Sequence, residues 1–134
     1  MDIRTKAVHP TARLHLRDAS DELMYDGEKE VAVNIYGPGS KQFAKAQAAQ
    51  TNRMMDSLKR KGKTDQTAEQ KRTEQAEFLA ECTESFENLS HGAITAGHAL
   101  AVAVYSDIEI GFIADQVAKH IGDWSNFSKP SATN

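Results

Sequence analysis

A chain of 134 residues with 40% hydrophobic and only 7% aromatic residues is long enough for one core, but a thin one. Its formal charge of −3, from 19 acidic against 16 basic side chains, creates no field aimed at nucleic acid or an anionic membrane. One cysteine, Cys82, excludes an internal disulfide, and no apolar run reaches the length of a signal peptide or a membrane span, so a reducing cytoplasm is expected.

Residues 1 to 12 lack apolar periodicity and carry Pro10, which disfavours helix at His9. They are expected to form a flexible leader that folding does not need. Leu14 and Leu16 alternate with polar residues over Arg13 to Arg17, and Val31, Val33 and Ile35 do so over Glu30 to Tyr36. That period predicts two half-buried strands that pair as an antiparallel hairpin. The acidic stretch Asp18 to Glu28 between them ends near the turn signal Asp26-Gly27, with room for a short helical turn at Glu22 to Tyr25.

Gly37-Pro38-Gly39 should end the second strand, and Ser40 offers its hydroxyl as a helix N-cap. The helix it opens should reach about Lys59, with Phe43, Ala46, Gln50, Met54 and Leu58 along one weakly apolar side. The basic turn Lys59 to Lys63, with Gly62 inside it, closes that helix. A second helix is expected from Thr64 or Asp65 to about Leu89, because Leu79, Cys82, Phe86 and Leu89 are spaced three, four and three apart. Its first half, Gln66 to Gln75, is nearly all polar, so either it faces solvent or another subunit covers it, and self-association is expected.

His98 to Tyr105 offers Leu100, Val102 and Val104 to the core as a strand or a tight helix. Asp107 can cap a last helix to Ile121, where Ile110, Ile113, Val117 and Ile121 make a stripe with Phe112 beside it. Trp124 and Phe127 follow as core plugs or binding anchors, with core plug the better reading of Trp124, and residues 128 to 134 read as a disordered tail. The predicted fold is α+β and mostly α-helical. A small N-terminal antiparallel β-hairpin precedes a helical hairpin and a C-terminal helix, in one domain over residues 13 to 127.

No catalytic set emerges from the residue pattern. Gly37-Pro38-Gly39-Ser40-Lys41 has the wrong order for a phosphate loop, and the histidines His9, His15, His91, His98 and His120 lack metal-ligand spacing. Asp18, Asp21, Glu22 and Asp26 do not reproduce a calcium loop, and neither Ser40 nor Cys82 sits in a nucleophile elbow. Lys59 to Lys63 reads as a solvated helix end, since no aromatics interleave its cations. The expectation is therefore a binding protein without cofactor, metal or enzymatic activity.

Taken as one layout, the chain resembles the tail assembly chaperones of lambda-like long-tailed phages. The resemblance spans about residues 14 to 127 and is carried by the strand and acidic stretch ending in Asp26-Gly27, the strand Val31 to Tyr36 closed by Gly37-Pro38-Gly39-Ser40, the Ala/Gln-rich helix pair, and the helix Ile108 to Ile121 followed by Trp124-Ser125-Asn126-Phe127. Phe86 stands where many relatives carry tryptophan, before a turn like Leu89 to Gly92. The resemblance implies a homo-oligomeric chaperone that binds the tape measure protein, recruits tail tube protein, acts in the host cell cytoplasm and is missing from the mature virion. Leu79, Phe86, Leu89, Phe112, Trp124 and Phe127 are the candidate partner-binding residues. Another phage adaptor, such as a head-tail joining or regulatory protein, is the alternative.

Overall fold

The computed structural model describes residues 1 to 61 and 67 to 129, apart from the side chain of Lys61. The expected stop at Gly62, the helix start at Thr64 or Asp65, and residues 130 to 134 of the tail lie outside the described residues. The fold is α+β and mostly helical. A three-stranded antiparallel sheet is built from β1 (Thr11–His15), β4 (Ala32–Tyr36) and β5 (Thr83–Glu87), with β4 in the centre. A small ribbon of β2 (Tyr25–Asp26) and β3 (Lys29–Glu30) turns at Gly27, whose φ of +66° suits glycine. The helices are α1 (Lys41–Lys61), α2 (Ala68–Glu81), α3 (Gly97–Ser106) and α4 (Gly111–Ile121).

Strand alternation divides the sheet into two unlike faces. Leu14, Val33 and Phe86 lie opposite one another in one row, and Ala12, Ile35 and Thr83 in the next. Val33 and Ile35 are fully buried, and their neighbours in the core come from α2, α3 and α4. The other face is polar. Arg13 donates to Glu30 at 2.7 Å and to Glu87 at 3.0 Å, and Asn34 donates to Glu87 at 2.9 Å. Arg13 holds both carboxyl groups below their ordinary range, but these charges are solvent-exposed and contribute little to stability.

The hairpin of β1 and β4 and the cap at Ser40 form as the sequence predicts. Ser40 is buried, accepts from the Phe43 amide at 3.0 Å and donates to the Gly37 carbonyl at 2.7 Å. The second helix ends earlier than expected. Thr67 opens it in a reciprocal capping box with Gln70, and it stops at Glu81 instead of running to Leu89. Thr83 donates its hydroxyl to the Leu79 carbonyl at 2.8 Å, and the Cys82 carbonyl accepts from the Tyr36 amide at 2.7 Å. Central strand β4 thereby gains its second partner, so the regular spacing from Leu79 to Leu89 crosses a helix end and a strand and is not one helical stripe.

Three further differences concern the ends and the connections. The leader is docked from Val8 onward: the His9 amide donates to the Phe127 carbonyl at 2.7 Å, and the Gly37 amide to the Pro10 carbonyl at 2.8 Å. Residues 8 to 12 are therefore part of the domain, and β1 starts at Thr11 and not at Arg13. Met24 pairs with both Leu16 and Val31 through its backbone, which makes residues 22 to 25 extended and not a helical turn. The last helix begins as a 3-10 turn at Ile108–Ile110, capped by Asp107, before α4 starts at Gly111. Residues 97 to 106, where the sequence permits strand or helix, are helical.

Phe127 is 1% exposed, and a Cβ added at Gly37 would overlap its ring. Gly37→Ala is expected to cost about 1–3 kcal/mol by overpacking this site. Gly111→Ala, where no atom lies within 4 Å of the new Cβ, should leave stability unchanged or slightly raised. Urea denaturation of the two variants checks this pair of outcomes.

Candidate functional site

The first turn of α1 carries Phe43, which meets Phe78 of α2 edge to face at a centroid distance of 5.7 Å. Ser40 fixes where that turn starts, so the cap positions the ring. Below the two rings lie Leu79, Ala118 and Ile121, and beside them are Pro38, Gln47 and Gln75. Trp124 closes the far side. Together these residues enclose an open apolar groove of about 590 Å³.

Trp124 is 57% exposed, yet its backbone is held firmly. Asp123 caps the 3-10 turn Trp124–Phe127 by accepting from the amide and hydroxyl of Ser125 at 2.9 and 2.7 Å. Asn126 donates to the His120 carbonyl at 3.0 Å, and Phe127 is inserted into the core. The expectation that Trp124 is the core plug is thus overturned: Phe127 is the plug, and Trp124 is the exposed ring. An apolar groove with a large aromatic on a fixed backbone beside it has the anatomy of a binding anchor, because little conformational entropy remains to be lost on contact.

Of the six candidate partner-binding residues, the structure brings only Leu79 and Trp124 to this groove. Leu79 is 2% exposed and forms its floor. Phe86 packs under the sheet against Tyr105 at 5.7 Å, and Leu89 and Phe112 are half-buried against the core elsewhere. Phe127 is fully enclosed, so it positions Trp124 and cannot be a contact residue itself. Phe43 and Phe78 are the lining residues that the apolar stripes of the sequence do not single out for the site. Phe78 falls three residues after Gln75 and four before Cys82, a helical face adjacent to the one that Leu79 marks.

Other crevices have different chemistry. One of about 620 Å³ between β1 and α4 is lined by Arg17, Asp21, Lys119, His120 and Asp123, charges of both signs. Another, of about 410 Å³, lies between α1 and α2 around Arg53, Arg60 and Glu74. Size alone does not select a site; unlike these two, the groove under Trp124 has apolar walls around a few uncharged polar groups.

Cys82, Tyr105 and Ser40 are buried. Cys82 has no exposed surface, and burial pushes its thiol up to about 12, so it stays protonated near neutral pH. Burial raises the Tyr105 hydroxyl as well, and Thr83 shares a 2.7 Å hydrogen bond with it. His91 lies 2.8 Å from Asp107, but the hydroxyl of Ser40 is committed to its cap. Among the described residues no three His, Cys, Asp or Glu side chains gather as a metal site, and no single helix is long and apolar enough to cross a membrane.

The geometry defines a small α+β domain with an apolar groove and an exposed tryptophan beside it. Compared with known proteins, the chain matches no family model, no curated protein and no solved structure.

His120 ties the groove's support to pH. Its ring lies 6.1 Å from that of Phe127, and burial holds its pKa below the ordinary 6.5, opposed in part by Asp123. The folded state thus prefers neutral His120, while the unfolded chain takes up a proton first as pH falls. Its contribution to stability is complete above about pH 6.5 and is lost as pH falls through the folded pKa. The urea midpoint should therefore drop between about pH 7.5 and pH 5.5, with a smaller drop in His120→Gln.

Proposed function

We propose that this chain is a non-catalytic binding protein whose groove under Trp124 receives the apolar face of a partner helix. The observation that carries this reading is a 57% exposed tryptophan on a fixed backbone beside a groove lined by Phe43 and Phe78. An amphipathic helix presents apolar residues at one-turn intervals, which suits a groove bounded by two helices. Gln47 and Gln75 at the rim can bond to the partner's polar flank without placing a charge in the apolar contact.

The partner we infer is the tape measure protein of a long-tailed phage, with the chain acting as its tail assembly chaperone and recruiting tail tube protein. Support comes from the layout of strand, acidic stretch, Gly37-Pro38-Gly39-Ser40, Ala/Gln-rich helices and Trp124-Ser125-Asn126-Phe127, and from the groove's fit to long apolar helices. A holdase needs reversible apolar contact and no reacting group, since binding alone raises the soluble fraction of an aggregation-prone partner. On this reading it works in the host cytoplasm and leaves before the virion is complete.

Co-expression tests the proposal. Tape measure protein should stay soluble and co-purify with the wild-type chain. Trp124→Ala should fold with stability within about 0.5 kcal/mol of wild type, as surface substitutions usually do, and retain at least about tenfold less partner. Full capture by this variant would remove the groove from the mechanism. Failure of the wild type to capture any tape measure protein would remove the chaperone assignment.

A further inference from the structure

The charge of the chain is unevenly divided. α1 carries Lys41, Lys45, Arg53, Lys59, Arg60 and Lys61 against Asp56 alone, a net +5, whereas residues 18 to 30 carry six acids against Lys29, a net −5. Arg53 is used within the domain, where it donates to Glu74 at 2.9 Å and to Glu81 at 2.7 Å. Lys41, Lys45, Ala48, Asn52, Met55 and Lys59 are all exposed and recur at alternating spacings of four and three, which places them along one outward face. Among the described residues none of these lysines meets a carboxylate. At 1.5 Å per residue the face is about 27 Å long, with Met55, 49% exposed, as its apolar point.

The acidic segment is built to be held in one shape. Gln116 of α4 clamps its start through two hydrogen bonds to the Arg17 backbone, at 2.8 and 2.7 Å, and Asp18 accepts from the amides of Ser20 and Glu22. Tyr25 stands edge-on to His15 at 4.9 Å within the β2–β3 ribbon. Leu23 and Tyr25 are 39% and 53% exposed, amid exposed Asp21, Glu22, Asp26 and Glu28. Among the described residues the one cation paired with any of these four carboxylates is Arg17, 3.9 Å from Asp21.

We propose that these two surfaces are partners in trans, the acidic segment of one copy docking on the outward face of α1 of a second copy. Three lysines on the α1 face, Lys41, Lys45 and Lys59, oppose four exposed carboxylates, Asp21, Glu22, Asp26 and Glu28, and each patch carries exposed apolar surface, Met55 on one and Leu23 and Tyr25 on the other, so attraction and burial act together. Because different surfaces meet, the contact is either exchanged reciprocally between two copies about a two-fold axis or repeated head to tail in a ring or open chain. A helix face about 27 Å long and about 10 Å wide is well below the ~800 Å² per partner of a standard interface. The association is accordingly weak and strongly dependent on salt. It leaves the groove under Trp124 uncovered and is independent of what that groove binds.

Sedimentation of the full chain tests the pairing. Wild type at about 100 micromolar should associate at about 50 mM salt and dissociate at about 500 mM, where screening shortens the range of the charges. Lys45→Glu with Lys59→Glu, and separately Asp26→Lys with Glu28→Lys, change only exposed residues and should each weaken association at least tenfold. An equimolar mixture of the two variants restores both opposite-charge pairings and should associate again. A wild-type monomer at low salt, variants that associate like wild type, or a mixture that stays monomeric would each overturn the proposal. So would wild-type chain that binds duplex DNA through this face and does not self-associate.

Discussion

The closure of Phe127 over Gly37 is the contact on which the rest of the structure depends. The missing side chain at Gly37 is the space the ring fills, and the carbonyl of Phe127 accepts the amide of His9 while Pro10 accepts that of Gly37. One aromatic thereby joins the end of the central strand, the N-terminal segment and the end of the last helix. Burial of a phenylalanine side chain contributes about 1.5–3 kcal/mol, a large share of what a thin core supplies. The same anchorage fixes Trp124 three residues earlier, outside the core and beside α1.

The core is unevenly supplied by the chain. The sheet with α2, α3 and α4 supplies nearly all of the buried apolar residues, whereas α1 buries only Ala46 fully. Its long outward face is therefore not needed for folding. α1 is retained against α2 by the half-buried fork of Arg53 on Glu74 and Glu81, by Phe43 on Phe78, and by its cap at Ser40. Breaking one arm of such a fork leaves a partly desolvated charge, which is why this geometry is a stronger tie than the exposed Arg13 network.

Local chemistry made part of this legible in the sequence. The alternation of Leu14, Leu16, Val31, Val33 and Ile35 needs only a two-residue period, and Ser40 needs only the turn before it, so both strands and the first cap follow from neighbouring residues. The end of α2 does not. Leu79, Cys82, Phe86 and Leu89 keep a helical spacing across a boundary that is set by the demand of β4 for a second partner, a contact about fifty residues away in the chain. Trp124 and Phe127 are alike for a different reason: both are large aromatics at a helix end, and which one is enclosed depends on the space over Gly37. Half of the site was hidden with them, since Phe43 and Phe78 become a pair only when α1 lies along α2. The docking of the leader likewise rests on backbone hydrogen bonds, which no side-chain period announces.

Docking of a partner helix in the groove under Trp124 has a reporter already in place, because Trp124 is the single tryptophan of the chain. Fluorescence titration with tryptophan-free amphipathic peptides spanning a phage tape measure protein reads the site directly. A saturable blue shift of the Trp124 emission is expected as a helix covers the exposed ring and excludes water from it. Peptide binding, seen by calorimetry, that leaves the emission unchanged would contradict docking at this groove.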